Sequence, residues 1–287
     1  MTSMDTVSFE NSTIVFATHH RKSIAAHEPF MTALNSRIEE LLIDSDRLGT
    51  FSGEIERRGT MIDALRDKVA LARTDTSERF VLVSEGSFGS ADGFGVLARG
   101  IEMLMLHDAV TGVEVLEQYV SWDTNYATAT ISQLEELERF LQKMQFGTHA
   151  LVVYPEGNLA AATVRKGIVT RPKAQSAFSE ARTASPMGRV VVLSDMRAHC
   201  NPTRMKAIST CCALLANRLA TRCPRCGSGG FGMVTSIPGL PCQSCGAPTQ
   251  RSKLEEHGCV RCGERLERRR SDGVQYADPS DCGICNP

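Results

Sequence analysis

Cys223-Pro-Arg-Cys226, Cys242-Gln-Ser-Cys245, Cys259-Val-Arg-Cys262 and Cys282-Gly-Ile-Cys285 are the four stretches that decide the end of this chain. A Cys-x-x-Cys pair can wrap two thiolates around one ion, and two such pairs complete a tetrahedral zinc site. The first and second pairs are separated by 15 residues, the second and third by 13, and the third and fourth by 19. The outer gaps match the usual ribbon spacing and the middle one is slightly short. The expected pairing is therefore sequential, with Cys223, Cys226, Cys242 and Cys245 on one zinc and Cys259, Cys262, Cys282 and Cys285 on another. Gly227, Gly246 and Gly263 follow three of the pairs, where the chain must turn tightly. Four thiolates leave no open position, so both ions read as structural. A disulfide scaffold suits a short secreted chain better than one of 287 residues.

Working outward, residues 1–221 alternate strand and helix signals and residues 222–287 form the tandem zinc-ribbon domain. Ser12-Thr-Ile-Val-Phe-Ala17 and Phe80-Val-Leu-Val-Ser84 read as short strands. Two further β-rich runs, 101–107 and 113–120, flank a Thr111-Gly112 turn and suggest a hairpin. Residues 131–145 carry Leu134, Leu137, Leu141 and Met144 at helical spacing. A strand at 150–154, a helix near 174–181 and a strand at 189–194 follow. The last long helix begins after Asn201-Pro202, a cap followed by proline at the first helical position. The fold class expected is α/β, a mixed sheet with flanking helices, then the small zinc domain. Cys200, Cys211 and Cys212 lie outside the knuckles and read as buried thiols.

The formal charge of −1 conceals an uneven distribution. Residues 1–164 hold 13 Lys/Arg against 24 Asp/Glu, whereas residues 165–225 hold 12 against 2. A basic segment is the footprint expected for a phosphate-bearing ligand, a nucleic acid or an acidic protein surface. It is equally the pattern expected if the segment pairs with the acidic N-terminal part. No secretory leader or membrane-spanning run is visible in the sequence, so a cytoplasmic protein with no membrane partner is expected.

Four segments are more polar than packing requires. They are Ala17-Thr-His-His-Arg-Lys22, the run 46–57, Ser84-Glu-Gly-Ser-Phe-Gly89 and the run 195–204. Loops at the carboxyl ends of strands are where α/β folds place ligands. The candidate substrate contacts from these runs are Thr18, Arg197, His199, Asn201 and Arg204. A helix starting at Asn201 would also offer free N–H groups to an anion.

The stretches DRLGTFSGEIER, SEGSFG, DMRAHCNPTRM and GLPCQSCGAPT resemble an uncharacterised bacterial family, domain of unknown function 6671, over nearly the whole chain. That resemblance carries no activity with it. A fainter likeness is to the pyrophosphatases that clear inosine and xanthosine triphosphates. Thr18-His-His-Arg-Lys22 stands where those enzymes have a phosphate-binding lysine loop. Thr60-Met-Ile-Asp-Ala-Leu-Arg-Asp-Lys68 stands for their Thr-x-x-Glu helix, Val83-Ser-Glu-Gly86 for their acidic turn, and Lys166-Gly-Ile-Val-Thr-Arg171 for a late Arg segment. The likeness implies a nucleotide phosphohydrolase in which Lys22, Lys68 and Arg171 neutralise phosphates. Glu85, with Glu54 or Asp63, would then hold Mg²⁺. The alternative is a non-enzymatic module that binds nucleic acid or protein through residues 165–225 and the ribbons. The sparse aromatic content, one Trp and four Tyr, weighs against stacking single-stranded nucleic acid.

Overall fold

Ile14 to Thr18 are buried without a break, the pattern of a strand covered on both faces. In the computed structural model, which describes residues 6–49, 55, 59–90 and 97–287, this run is β1 (Thr13–Thr18). A helix, α1 (His27–Leu34), returns the chain to β2 (Arg37–Leu42), which pairs parallel with β1. The second helix, α2 (Met61–Ala72), begins with a capping box in which Thr60 and Asp63 satisfy each other's backbone N–H groups. It packs Leu65, Val69 and Ala72 against Ala17, Val81, Val83 and Met105.

The next strand, β3 (Phe80–Ser90), lies parallel to β1. It pairs antiparallel with β4 (Ala98–Asp108), which pairs with β5 (Glu114–Ser121). The resulting mixed sheet has the order β2-β1-β3-β4-β5. The SEGSFG motif is therefore not a glycine loop after a strand but the second half of β3, with Glu85 opposite Met103 and Gly86 opposite Glu102. A Cβ at Gly86 would stand 2.9 Å from the Glu102 carboxylate and collide with the Arg204 guanidinium. Glycine there permits a close approach rather than a turn.

The β4–β5 hairpin turns at Gly112 (φ 69°). Asp108, fully buried at its base, accepts two bonds from Arg79 (2.9 and 2.8 Å), one from the Thr111 hydroxyl (2.7 Å) and one from the Val110 N–H (3.0 Å). Burial pushes this carboxyl up, but the bonds from Arg79, Thr111 and Val110 outweigh burial and bring its pKa down to about 2. A depressed carboxyl contributes stability that is complete above its unfolded value near 4 and is lost as the pH falls toward 2. Asp108→Asn should cost about 1–2 kcal/mol at neutral pH and flatten the stability profile between pH 4 and 2. Denaturation followed by the fluorescence of Trp122, the chain's single tryptophan, will measure this; an unchanged profile would refute it.

A second, four-stranded sheet has the order β6-β9-β7-β8 and is wholly antiparallel. Its strands are β6 (Thr128–Ile131), β7 (Leu151–Pro155), β8 (Arg165–Ile168) and β9 (Val190–Ser194). Two helices, α3 (Leu134–Lys143) and α4 (Arg171–Ala184), cover one face. Leu137, Leu141, Ala174 and Phe178 pack there on Leu151, Val153, Val190 and Val192. The last helix, α5 (Pro202–Ala220), starts where the Asn201 side chain accepts from the Arg204 N–H at 2.9 Å.

The described chain divides into two compact units, residues 11–216 and residues 217–287 together with residues 6–10. In the second unit the Ser228 hydroxyl accepts the Val7 N–H at 3.1 Å, and the Gly229 N–H bonds the Val7 carbonyl at 2.9 Å. The second unit's sheet is β10 (Gly232–Pro238), β11 (Ser252–Gly258) and β12 (Arg265–Arg269), antiparallel in that order. Among the described residues no helix is long and apolar enough to cross a membrane.

Candidate functional site

Each knuckle of the second unit is a tight turn closed by backbone bonds. The Cys223, Cys242 and Cys259 carbonyls accept from the N–H of Gly227 (2.9 Å), Gly246 (2.9 Å) and Gly263 (3.2 Å). All three glycines have φ near 72°, which an L side chain adopts only at a cost. In the fourth knuckle the Asn286 N–H bonds the Cys282 carbonyl at 2.8 Å.

The knuckles then pair in a way that spacing did not suggest. Cys223, Cys226, Cys259 and Cys262 form one cluster, and Cys242, Cys245, Cys282 and Cys285 form the other. The pairing is interleaved, not sequential, and the antiparallel sheet explains it. One strand separates each of the first three knuckles from the next: β10 joins the first to the second, and β11 joins the second to the third. A single strand carries the chain to the opposite end of the sheet; two bring it back. The first and third knuckles therefore meet at one end. The second meets the fourth, which follows β12, at the other. The Gln243 N–H to Ala277 carbonyl bond (3.0 Å) and the Ala277 N–H to Pro241 carbonyl bond (2.8 Å) hold the C-terminal segment beside the second knuckle.

The donor geometry fits zinc. Four sulfurs about 2.3 Å from a tetrahedral ion stand about 3.8 Å apart. The sulfur separations are 3.7 Å for Cys223–Cys262 and Cys226–Cys259, 3.8 Å for Cys242–Cys285 and 3.7 Å for Cys245–Cys282. A disulfide would need about 2.05 Å. Phe231, itself buried, packs on Cys223 and Cys259 and closes the first site from within. These clusters fit tandem zinc-binding knuckles able to hold two ions.

The first unit contains a cleft of about 240 Å³. Its walls come from the turn after β1 (His20, Lys22), the turn after β2 (Ser45, Asp46, Gly49), α2 (Lys68), β3 (Glu85 to Phe88), β8 (Lys166), the segment after β9 (Asp195, Arg197) and α5 (Arg204). Five cationic side chains and three carboxylates share this space. Lys22, Lys68, Glu85 and Arg204 are each under a tenth exposed, which is unusual for charged groups unless they are paired.

The pairing is specific. Lys68 forms an ion pair with Glu85 and donates to the Ser84 carbonyl at 2.8 Å. Lys22 donates to the Ser84 hydroxyl at 2.9 Å. Burial, and then the neighbouring Arg204 and Lys68 charges, bring the Lys22 pKa down to about 7. Arg197 forms a bidentate pair with Asp195 (3.0 and 2.6 Å), and the Oδ2 of that carboxylate also accepts the Gly167 N–H at 3.0 Å. Arg204 pairs with the buried Glu102 at 2.7 Å and lies over the Phe88 ring at 4.9 Å. Burial, and then Lys22 and His199, bring the His20 pKa down to about 2, so this imidazole is neutral.

Of the residues singled out in the sequence, Lys22, Lys68, Glu85, Arg197 and Arg204 line the cleft. The others do not. Arg171 stands at the start of α4, paired with Glu138 at 3.1 Å. Thr18 is buried, and its hydroxyl accepts the His20 N–H at 3.4 Å. Asn201 is fully buried as a structural bracket, donating to Asn125 (2.6 Å) and to the Asp195 carbonyl (3.3 Å) while capping α5. His199 stacks on His20 at 5.1 Å, outside the lining. Asp63 is committed to the α2 cap, so it is not a metal ligand beside Glu85. Glu54 lies outside the described residues. His20, Asp46, Lys166 and Asp195 line the cleft without having been picked out individually. All four fall in segments notable for polarity or motif, but only the fold ties them together.

Much of the basic segment is neutralised locally. Arg165 pairs with Glu180, Arg171 with Glu138, Arg189 with Glu156, Arg197 with Asp195 and Arg204 with Glu102. Cys211 and Cys212 are fully buried, and burial raises both thiols far above their ordinary value, so they are inert.

Neither the curated proteins nor the solved structures gave a match to this chain. One family model does match. Its span, residues 68–287, takes in all eight knuckle cysteines and the cleft residues from Lys68 to Arg204, leaving out the turns after β1 and β2 with His20, Lys22, Ser45, Asp46 and Gly49. On that match, which covers most of the sequence, the chain belongs to the family described as Domain of unknown function (DUF6671).

Proposed function

We propose that the cleft of the first unit binds a phosphate-bearing small molecule, and that the second unit is a structural module holding two zinc ions. One observation carries the reading of the cleft: Lys22, Lys68, Lys166, Arg197 and Arg204, drawn from five different elements, converge on one cavity with only three carboxylates among them. Glu85, Asp195 and the buried Glu102 pair with Lys68, Arg197 and Arg204; Lys22 and Lys166 bring further cationic groups to the same space, and a pocket so lined favours an anion.

Magnesium-dependent hydrolysis through Glu85 is the finer form of this reading and demands a rearrangement. The Glu85 carboxylate already faces the Lys68 ammonium, so Mg²⁺ would have to displace that ammonium. An anion needs no such exchange.

Thermal shift with pyrophosphate, tripolyphosphate and nucleoside triphosphates, each with and without Mg²⁺, separates the two. A ligand at a hundred times its dissociation constant adds about 2.7 kcal/mol of folded-state stability. The expected result is stabilisation without Mg²⁺, reduced by Arg197→Gln and kept in Glu85→Gln, where Lys68 is released to face the ligand. A shift that needs Mg²⁺ and disappears in Glu85→Gln would establish the hydrolase form. No shift with any of these compounds would remove the phosphate reading.

A further inference from the structure

We propose that His19, His20 and Asp46 form a site for a third divalent ion, one of the borderline transition metals, at the wall of the cationic cleft that His20 and Asp46 line. One ligand atom from each of the three lies within 4.8 Å of the others. His19 and His20 are consecutive at the end of β1, and their rings meet edge to face at 4.8 Å and 90°. Their nitrogens therefore lie in different planes and can reach one ion from two directions. Asp46 comes from a separate element, the turn Ser45–Leu48 after β2. The parallel pairing of β1 with β2 brings the ends of both strands to the same edge.

The surroundings support a built arrangement. The His199 ring stacks nearly flat on His20, 5.1 Å away with 15° between planes, and limits how that imidazole can rotate. Arg21 has φ 56°, in the left-handed region that a residue with a Cβ disfavours. This corner separates the histidines from Lys22, which turns inward onto Ser84. Backbone in that region persists only where its surroundings hold it, and such positions cluster at functional sites.

The donor set selects the metal. Two imidazoles and one carboxylate suit Zn²⁺, Fe²⁺, Co²⁺ or Ni²⁺, whereas Mg²⁺ prefers oxygen ligands throughout. Three protein ligands leave positions open for water or for an oxygen of a bound anion. The cations that act on His20 are Lys22 and Arg197; Arg197 is already matched by Asp195. The site goes beyond the phosphate reading and stands without it.

The test is a titration of the zinc-loaded full-length protein with Co²⁺ in the absence of phosphate. Cobalt held by imidazole and carboxylate shows weak d–d absorption, while cobalt entering a knuckle shows strong thiolate charge transfer, so the two destinations are distinguishable. The expected result is one further equivalent bound without charge-transfer absorption. The exposed His19 is replaceable without disturbing the core, and His19→Gln should weaken this binding by about tenfold or more, since even partners behind the ligands are worth that much. Asp46→Asn should do likewise, and His27→Gln, an exposed histidine outside the cluster, should leave it unchanged. Absence of a further equivalent, or a further equivalent that survives both cluster substitutions, would overturn the proposal. Neither outcome touches the phosphate reading, which is measured without transition metal.

Discussion

Replacing Cys223 and Cys259 together by serine is expected to remove one zinc ion per chain and leave the other, whereas replacing Cys223 and Cys242 together should remove both. The first pair belongs to one cluster and the second pair is divided between two. Sequential pairing would give the opposite result, so metal analysis of the two purified variants decides the topology. The effects should be large. Structural zinc contributes on the order of 10–16 kcal/mol of binding free energy in small modules at neutral pH, and folding and binding are one event there. The second unit's sheet cannot replace that contribution, because β12 is exposed along its whole length and β10 nearly so. The variant that loses both ions should leave residues 217–287 unfolded and sensitive to protease. The variant that keeps one should retain the end of the sheet nearest the second and fourth knuckles. Finding both ions lost from the Cys223/Cys259 variant would restore the sequential arrangement.

That arrangement shows where sequence reading stops. The four knuckles and their metal chemistry are legible because a Cys-x-x-Cys turn is a local object. Partner choice is not local: it depends on how many strands separate two knuckles, and counting residues does not register the reversal at each hairpin. The α/β unit divides the same way. The strands at 13–18, 151–155 and 190–194 are continuous apolar runs and can be read directly. The second half of β3 is not, because Ser84 and Glu85 look like loop residues until Lys22 and Lys68 arrive to satisfy them. Likewise β2 and β8 are sheet-edge strands with exposed, charged positions, so they lack the hydrophobic signal. In the candidate site, Lys22, Lys68, Glu85, Arg197 and Arg204 stand out by residue type. Asn201 and Asp63 looked equally suitable and turned out to be caps. A cap and a ligand contact use the same short polar side chains, and only the partner distinguishes them.

Glu102→Gln is expected to cost about 3–5 kcal/mol of stability in the first unit, the range for leaving one member of a buried ion pair without its partner. Glu102 and Arg204 have side chains only 2 % and 8 % exposed. The guanidinium is held by the Glu102 carboxylate, by the Met196 carbonyl and by the Phe88 ring. Gly86 is shaped to it, since any side chain there would collide with Arg204. Lys22 stands close enough to add like charge to an orphaned guanidinium. Arg204→Met should also destabilise, by orphaning Glu102, though Lys22 stands close enough to compensate in part. Replacing both, with Glu102→Leu and Arg204→Met, removes the two desolvation costs together and should recover most of the loss. The coupling between the sites, read from urea denaturation in excess zinc with Trp122 reporting on the first unit, should therefore be large and of the sign that favours paired residues. A Glu102→Gln variant as stable as the original would mean that water or an anion in the cleft already carries the guanidinium's charge. In that case the same variant should become strongly dependent on added phosphate, because the ligand would then hold in place a cation that the protein itself no longer balances.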